Sequence, residues 1–256
     1  MEKYSIGFIG GGRITKIMLK AFTNRKITFP LVKVFDTNTD VVNTLQKEFP
    51  FITVVGDYLT VFDSSITFLA LHPPVLKEFL ESWKGGKTDS IIISLAPKIM
   101  IERISKIFET DNVARLIPNA ASYINEGYNP ITFSQRFNEK EKLTVLDLLE
   151  NLGHTFEVAE PKLEAYAILS AMLPTYFWFQ WNKLEEIGIQ IGLTEEESKN
   201  SIKSTLISAV NLLFESDLTF QQTENLIPSK PISENQQQIK EIYQTKLIET
   251  FNKIKS

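Results

Sequence analysis

The first part of the chain alternates short apolar runs with polar stretches that have helical periodicity. Two of the runs, Ile66–Leu71 and Ile91–Leu95, are apolar at almost every position. Such runs are typical of strands in a parallel sheet that helices cover on both faces. The other predicted strands are Tyr4–Ile9, Leu31–Phe35, Ile52–Val55, Val113–Ile117, Ile131–Phe133 and Thr155–Val158.

The segment between the first two runs has the periodicity of a helix. Its apolar residues recur at positions i, i+3, i+4, i+7 and i+8, and they are Ile14, Ile17, Met18, Ala21 and Phe22. This spacing places them on one helix face. A strand, a helix and a second strand in about 30 residues predict a βαβ unit.

After Pro161 no further strand pattern follows, and the chain is predicted to be helical up to Ser256. The most apolar stretch is Ala165–Trp181, which contains Pro174. It is shorter than the roughly 20 residues that a membrane-spanning helix needs, so we predict a buried helix and no membrane association.

Signals for helix ends divide this second part. Gly192 is typical of a helix stop, and Thr194 with Glu197 matches a capping box at the next helix start. The stretch Ser198–Phe214 continues at helical spacing. We predict a polar loop at Asp217–Gln238 and a last helix at Gln236–Ile254.

Composition narrows the possible functions. Of the 256 residues, 43% are hydrophobic and 23% are charged, which is typical of a globular protein. The net charge is −4 and no basic stripe stands out, so a nucleic-acid partner is not expected. Without cysteine and with only two histidines, we expect no metal site and no thiol nucleophile. The amino-terminal sequence does not resemble a signal peptide, and we expect a cytoplasmic location.

A glycine-rich turn follows the first strand and opens the first helix. Gly10-Gly11-Gly12-Arg13-Ile14-Thr15 matches Gly-x-Gly-x-x-Gly/Ala except at Thr15. Gly10 permits a tight turn, and Gly12 lets the backbone approach a pyrophosphate. The helix N-terminus offers free N–H groups to that anion. We therefore predict a dinucleotide site at Gly10, Gly12, Arg13 and Ile14; the alternative is a tight turn without a ligand.

Asp36 ends the second strand and is a candidate cofactor contact. An acid there accepts hydrogen bonds from the adenosine ribose and repels a 2′-phosphate, which favours NAD over NADP. Arg25 and Lys33 lie nearby in sequence and could weaken that preference. Alternatively, Asp36 only begins the Asp36-Thr37-Asn38 turn.

The patterns together predict two domains. Residues 1–160 form an α/β domain of the Rossmann type, with a mainly parallel sheet that binds NAD(P). Residues 161–256 form an all-α domain.

Five segments, in order along the chain, resemble the pyrroline-5-carboxylate reductase family. The first is GFIGGGRI at 7–14, and the most specific is Arg-Leu-Ile-Pro-Asn-Ala at 115–120, followed by Glu126-Gly127. The others are Phe68–Pro73, Ile93–Ala96 and Ser204–Ala209.

The resemblance implies an NAD(P)H-dependent reductase that transfers hydride to the C=N bond of a cyclic imino acid, as in proline biosynthesis. It also implies a homodimer that interlocks through the helical domain. It places Leu71, His72, Pro73 and Ala96 beside the cofactor and Asn119 at its nicotinamide end, as a cofactor contact and a candidate catalytic residue. Thr205 then approaches the substrate nitrogen as a hydrogen-bond or proton donor.

The second half departs from the family pattern. The family's Ser-Gly-Ser-Gly-Pro-Ala-Tyr is Ser-Ala-Met-Leu-Pro-Thr-Tyr at 170–176. Its glycine-rich substrate loop falls at 229–234, where Pro231 and Ile232 stand in place of glycines. Backbone N–H groups of glycines form a nest for a carboxylate, so we expect this nest to be absent or rebuilt.

Three interpretations remain open from the sequence. The first is a reductase with a diverged substrate site. The second is a non-catalytic dinucleotide-binding paralogue, and the third is an oxidoreductase of the same fold that acts on another imine or carbonyl substrate. The aromatic residues of 177–181 fit helix core or a dimer interface better than a substrate pocket.

Overall fold

The computed structural model describes residues 4–255, and within them eight strands form one sheet. The strands are β1 (Ile6–Ile9), β2 (Val32–Phe35), β3 (Thr53–Val54), β4 (Ile66–Leu69), β5 (Ile91–Ser94), β6 (Val113–Leu116), β7 (Gly127–Phe133) and β8 (Gly153–Glu157). Their order in the sheet is β3-β2-β1-β4-β5-β6-β7-β8. All neighbouring pairs are parallel except β6 and β7.

α-Helices lie between most of the strands and make up most of the described chain after β8. They are α1 (Arg13–Asn24), α2 (Thr39–Glu48), α3 (Pro73–Glu81), α4 (Ile101–Phe108), α5 (Glu139–Leu149), α6 (Leu163–Tyr166), α7 (Pro174–Gln190), α8 (Glu195–Glu215), α9 (Phe220–Asn225) and α10 (Gln236–Ile254). The predicted α/β domain with a mainly parallel sheet, followed by an all-helical part, is confirmed.

The central strands are buried at every position because both faces of the sheet are covered. Phe8 and Phe68 stack at 5.0 Å between ring centroids in the core on one face. Ile9 and Leu69, the next residues along β1 and β4, belong to the core on the other face. Because side chains on both faces are buried, the sequences of these strands are continuous apolar runs.

The order of the strands creates a switch point between β1 and β4. From β1 the chain passes through α1 to β2 on one side, and β4 lies on the other side. In parallel sheets of this kind, ligands bind at the carboxyl ends of the strands beside the switch point. The turn after β1 and the chain after β4 therefore lie where a ligand is expected.

Several predicted elements differ in length from those in the structure, and the seventh strand differs most: it was predicted at Ile131–Phe133 and covers Gly127–Phe133. The third strand covers only Thr53 and Val54, at the edge of the sheet. The predicted polar loop at 217–238 contains α9, which starts with a capping box between Thr219 and Gln222. The loop prediction was wrong there because the short helix has little apolar periodicity and its cap was missed.

The apolar stretch Ala165–Trp181 is not one buried helix, and that prediction was wrong. It consists of the end of α6, a π-helical turn at Ala167–Ala171 and the first part of α7. Pro174 lacks the N–H that a continuous helix would use and instead starts α7. Trp178 and Phe179 are exposed. Among the described residues, none of the helices is long and apolar enough to span a membrane.

The chain separates into two compact units. The first contains the residues up to Ala171 and those from Phe251 onward, and the second is Met172–Thr250. The sequence placed the boundary after residue 160. In the structure, Leu163 and Ala167 pack with Ile117 in a small core of the first unit.

A buried ion network holds this last segment of the first unit. The guanidinium of Arg115, on β6, pairs with Glu160 at 3.0 Å and with Glu164. The same carboxylates accept the backbone N–H groups of Ile101 and Lys98. Arg115 thus fixes the segment before the π-helical turn against the sheet.

Candidate functional site

The turn after β1 requires glycine at position 10. Gly10 has φ +105°, in the region that favours glycine. A Cβ there would lie 2.5 Å from the carbonyl oxygen of Ala70 and 3.2 Å from the side chain of Leu71. The glycine turn and the residues after β4 therefore touch at the switch point, as the predicted site requires.

Gly12 has a different role, because the fold does not require glycine there. Its φ of −74° is open to any residue, and a Cβ would meet no atom within 4 Å. Gly12 is the N-cap of α1, and no side chain caps this helix end. The exposed, uncapped N-terminus leaves an open cradle in which backbone N–H groups can meet an anion.

The peptide group between Gly10 and Gly11 is bonded at both polar ends. Its carbonyl oxygen, on Gly10, accepts the hydroxyl of Thr15 at 2.6 Å. Its N–H, on Gly11, donates to Oδ2 of Asp36 at 2.8 Å. In the glycine pattern Thr15 is only a departure from a small residue, and nothing in that pattern predicts this hydroxyl bond.

Asp36 is half-buried where β2 ends. Its Oδ1 accepts the N–H of Asn38 at 2.8 Å, and the Asn38 side chain in turn caps α2. The carboxylate therefore begins the turn after β2, as one interpretation predicted, and it also reaches the glycine turn. Each carboxylate oxygen has a further lone pair for a ligand hydroxyl.

A cavity of about 400 Å³ lies beside the glycine turn, between the start of α1 and one side of α2 from Asp40 to Glu48. Both acidic and basic side chains line this cavity. Lys16 pairs with Glu48 at 2.6 Å, and this hydrogen bond raises the pKa of Lys16. Asp40 adds a second carboxylate. The exposed side chain of Arg13 makes no ion pair within the described residues, so its charge is available at the cavity.

The predicted residues after β4 lie beside this turn. Leu71 follows β4 and lies against Gly10. His72 is the exposed N-cap of α3, its side chain makes no capping bond, and Pro73 is the first residue of the helix. His72 and Pro73 therefore lie at the junction of β4 and α3, and the imidazole of His72 does not cap the helix.

Ala96 and Asn119 follow β5 and β6 at the same edge of the sheet. Ala96 is buried, and its N–H lies 3.5 Å from the hydroxyl of Ser94. Asn119 is buried, and its carboxamide is engaged at both ends. Oδ1 accepts the N–H of Ala121 at 2.8 Å, and Nδ2 donates to the carbonyl of Ser170 at 3.0 Å. Asn119 therefore ties the end of β6 to the π-helical turn.

The second unit carries the other predicted residues. Thr205 is exposed on α8. In the loop before α10, Ile232 has φ −108°, and Pro231 has no N–H. The N–H of Ser233 donates to the carbonyl of Lys230 at 3.1 Å, and that of Asn235 donates to Ile232. These two N–H groups are thus bonded within the loop, and the loss of the glycine nest stays a prediction.

Comparison with known proteins identifies the relatives. Residues 5–98 match the family model described as NADP oxidoreductase coenzyme F420-dependent. The pyrroline-5-carboxylate reductase of Staphylococcus aureus (strain COL) is 28% identical over 170 residues, which are 66% of this chain and 63% of that protein. The chain is therefore similar in sequence to the pyrroline-5-carboxylate reductases. The match spans less than two thirds of that relative's length.

Solved structures of pyrroline-5-carboxylate reductases show the same fold over almost the whole chain. The Streptococcus pyogenes enzyme is 16% identical, with a TM-score of 0.81 and 98% of each chain covered. The Plasmodium falciparum pyrroline carboxylate reductase, solved with NADP bound, is 18% identical, with a TM-score of 0.78. The matched region is 99% of this chain and 96% of the Plasmodium falciparum chain. The resemblance expected from the sequence is confirmed.

Proposed function

We propose that the chain is an NAD(P)H-dependent reductase that transfers hydride to a C=N bond. The observation that carries this proposal is the open cradle at Gly12, where the helix N-terminus is uncapped and a Cβ would meet no protein atom. A pyrophosphate fits such a cradle, because its oxygens accept the backbone N–H groups and its charge favours the positive end of the helix dipole. The bound nicotinamide would supply the hydride.

The charges around the turn favour NADH. Asp36 has lone pairs for the adenosine ribose hydroxyls, and its carboxylate repels a 2′-phosphate. Asp40 adds negative charge at the neighbouring cavity, whereas Lys16 balances the carboxylate of Glu48 there. Arg13 is the opposing cation, and we assign it to the pyrophosphate because it is the first residue of α1.

The residues after β4, β5 and β6 would receive the nicotinamide half. Leu71, His72, Pro73 and Ala96 lie along the same edge as the glycine turn. We propose that Asn119 is a positioning residue, because its carboxamide is already hydrogen-bonded to the backbone of Ser170 and of Ala121. It would fix the backbone at the end of β6 rather than bind the substrate through its amide.

Thr205 is the proposed donor to the imine nitrogen. Its hydroxyl is exposed, so it is free to donate a hydrogen bond to a substrate. Protonation of the nitrogen accompanies hydride addition to the carbon, and a nearby hydroxyl can hold or pass that proton.

We propose a substrate other than a small cyclic imino acid held by its carboxylate. Pro231 offers no N–H, and the N–H groups of Ser233 and Asn235 are already bonded to the protein. The nearby cation, Lys230, pairs with Glu224 at 3.6 Å. The loop also lines a mainly apolar cavity of about 360 Å³. A more apolar imine or carbonyl compound fits this environment better.

We also propose that the chain forms a homodimer through the helices of the second unit. The second unit exposes large apolar side chains along α7, α8 and α10, including Phe179, Phe214 and Ile242. So much exposed apolar surface is typical of an interface between subunits.

Binding and turnover together test the function. Calorimetry with NADH and NADPH reports the cofactor site, and loss of NADH absorbance with cyclic imines and small keto acids reports catalysis. Binding with turnover of any such compound supports the reductase. Tight binding with no turnover across the panel supports the second candidate, a non-catalytic binding protein, which the diverged loop favours. Absence of binding by either cofactor contradicts the proposal.

A further inference from the structure

Two side chains far apart in sequence hold one peptide of the glycine turn. The Thr15 hydroxyl binds the carbonyl of Gly10, and the Asp36 carboxylate binds the N–H of Gly11. Thr15 is fully buried and Gly11 is buried, so bulk water does not compete for the Thr15 bond and reaches the Asp36 bond only from the half-buried carboxylate. We propose that Thr15 and Asp36 are positioning residues that fix the plane of this peptide and thereby preorganise the pyrophosphate turn.

The turn needs such support because it consists of three glycines. Glycine has more accessible backbone conformations than any other residue, so a Gly-Gly-Gly segment loses much entropy when a ligand orders it. A turn that is already ordered spares the ligand this cost. Holding the Gly10–Gly11 peptide also sets the direction of Gly12, which follows it directly.

The proposal gives Asp36 a second role. Besides accepting the ribose hydroxyls, it would act through the turn on the phosphate. The two roles can be separated with NMNH, the reduced nicotinamide mononucleotide, which carries a phosphate but lacks the adenosine ribose. The inference rests on the proposed function, since it names a dinucleotide as the ligand.

The first test compares Kd values of four proteins for NADH. Thr15→Val removes the donor at nearly constant shape, and Thr15→Ser keeps it. Thr23→Val is the matched control, because that hydroxyl donates to the carbonyl of Leu19 in the same helix, away from the turn. We expect Thr15→Val to weaken NADH binding about five- to tenfold, Thr15→Ser to stay within about twofold of wild type, and Thr23→Val to match wild type.

The second test uses NMNH with Asp36→Ala. We expect weaker binding of both NMNH and NADH than in wild type. Weaker NADH binding with unchanged NMNH binding would confine Asp36 to the ribose and overturn its positioning role.

A third measurement needs no ligand. Hydrogen exchange of the Gly11 amide in the free protein should quicken about tenfold or more in Thr15→Val and in Asp36→Ala, and stay unchanged in Thr23→Val. Unchanged exchange in both variants overturns the inference and leaves the proposed function intact. If wild type binds neither cofactor, the proposed function fails, while the exchange data still decide whether the peptide is held.

Discussion

A Cβ on Gly10 would lie 2.5 Å from the carbonyl oxygen of Ala70, so the turn after β1 packs directly against the residue that follows β4. Two residues later, a Cβ on Gly12 would meet no atom within 4 Å. The first glycine is therefore required by the fold. The second leaves open space that the proposed dinucleotide would occupy, so we expect the two positions to respond differently to substitution.

We expect Gly12→Val to abolish NADH binding while the protein stays folded. The isopropyl group would occupy the space proposed for the pyrophosphate, and we expect a loss of about 100-fold or more. The cost in stability is that of a poorer N-cap, about 1 kcal/mol. Calorimetry and thermal unfolding measure the two effects.

Gly10→Ala serves as the contrasting variant. Its Cβ meets the Ala70 carbonyl in a conformation with φ +105°, so we expect a lower Tm, from a loss of about 1–3 kcal/mol. Undiminished NADH binding by Gly12→Val would place the cofactor elsewhere.

NADH should bind more tightly than NADPH. Charge repulsion at a partly buried site amounts to about 1–3 kcal/mol, and here it comes from Asp36. We expect Asp36→Asn to shift the ratio of the two Kd values toward NADPH, even though it also weakens the turn. Asp89 is an exposed acid that precedes β5, at the amino-terminal ends of the strands and away from the glycine turn. Asp89→Asn should therefore leave the ratio unchanged. A wild-type preference for NADPH would contradict the role of Asp36 and direct attention to Arg13, Arg25 and Lys33.

The chain should be a dimer at micromolar concentration. Phe179 on α7 is 68% exposed in the single chain, and Leu143 on α5, in the first unit, is 69% exposed. Phe179→Glu should yield a monomer, because it places a charge in the proposed apolar interface, whereas Leu143→Glu should remain dimeric. Light scattering decides between these outcomes, and a monomeric wild type would exclude the proposed dimer.

Pyrroline-5-carboxylate should be turned over weakly or not at all. Hydride transfer needs close placement, and a small misplacement costs about 100-fold. The rate of NADH oxidation at steady state measures the turnover of pyrroline-5-carboxylate. A kcat/KM of about 10⁴ M⁻¹s⁻¹ or more would show that the loop at 229–234 holds the carboxylate after all.

Thr205 can be tested with whichever substrate the screen finds. We expect Thr205→Ala to lower kcat about 10- to 100-fold, because the nitrogen loses its donor. Thr205→Ser should retain most of the rate, and Ser201→Ala, one turn earlier on α8, should behave as wild type. An unchanged rate in Thr205→Ala would remove Thr205 from the mechanism.

The start of α8 should make stability depend on pH in the acid range. Oε2 of Glu197 accepts the N–H and the hydroxyl of Thr194, and these bonds lower the pKa of Glu197. A lowered pKa in the folded state gives stability above the unfolded pKa that is lost as the pH falls through the folded value. We expect Glu197→Gln, but not Glu196→Gln, to reduce the change of Tm between about pH 5 and pH 3.

The elements that depend on local pattern could be predicted from the sequence. Strands such as β4 and β5 are buried on both faces, so their burial is visible as continuous apolar runs. The capping box at Thr194 and the stop at Gly192, with φ +104°, are confirmed because caps depend on neighbouring residues. The glycine turn was recognisable for the same reason.

What the sequence determined by itself was the succession of strands, caps and turns, since each follows from residues close together along the chain. The tertiary structure decided which groups meet. Asp36 is 25 positions from Gly11, and Asn119 is 51 positions from the Ser170 carbonyl that it binds. The exposure of α7 depended in the same way on what packs beside it. Long-range hydrogen-bond partners, and the exposure of helices such as α7, are set by strand order and by the packing of whole elements, which local periodicity does not show.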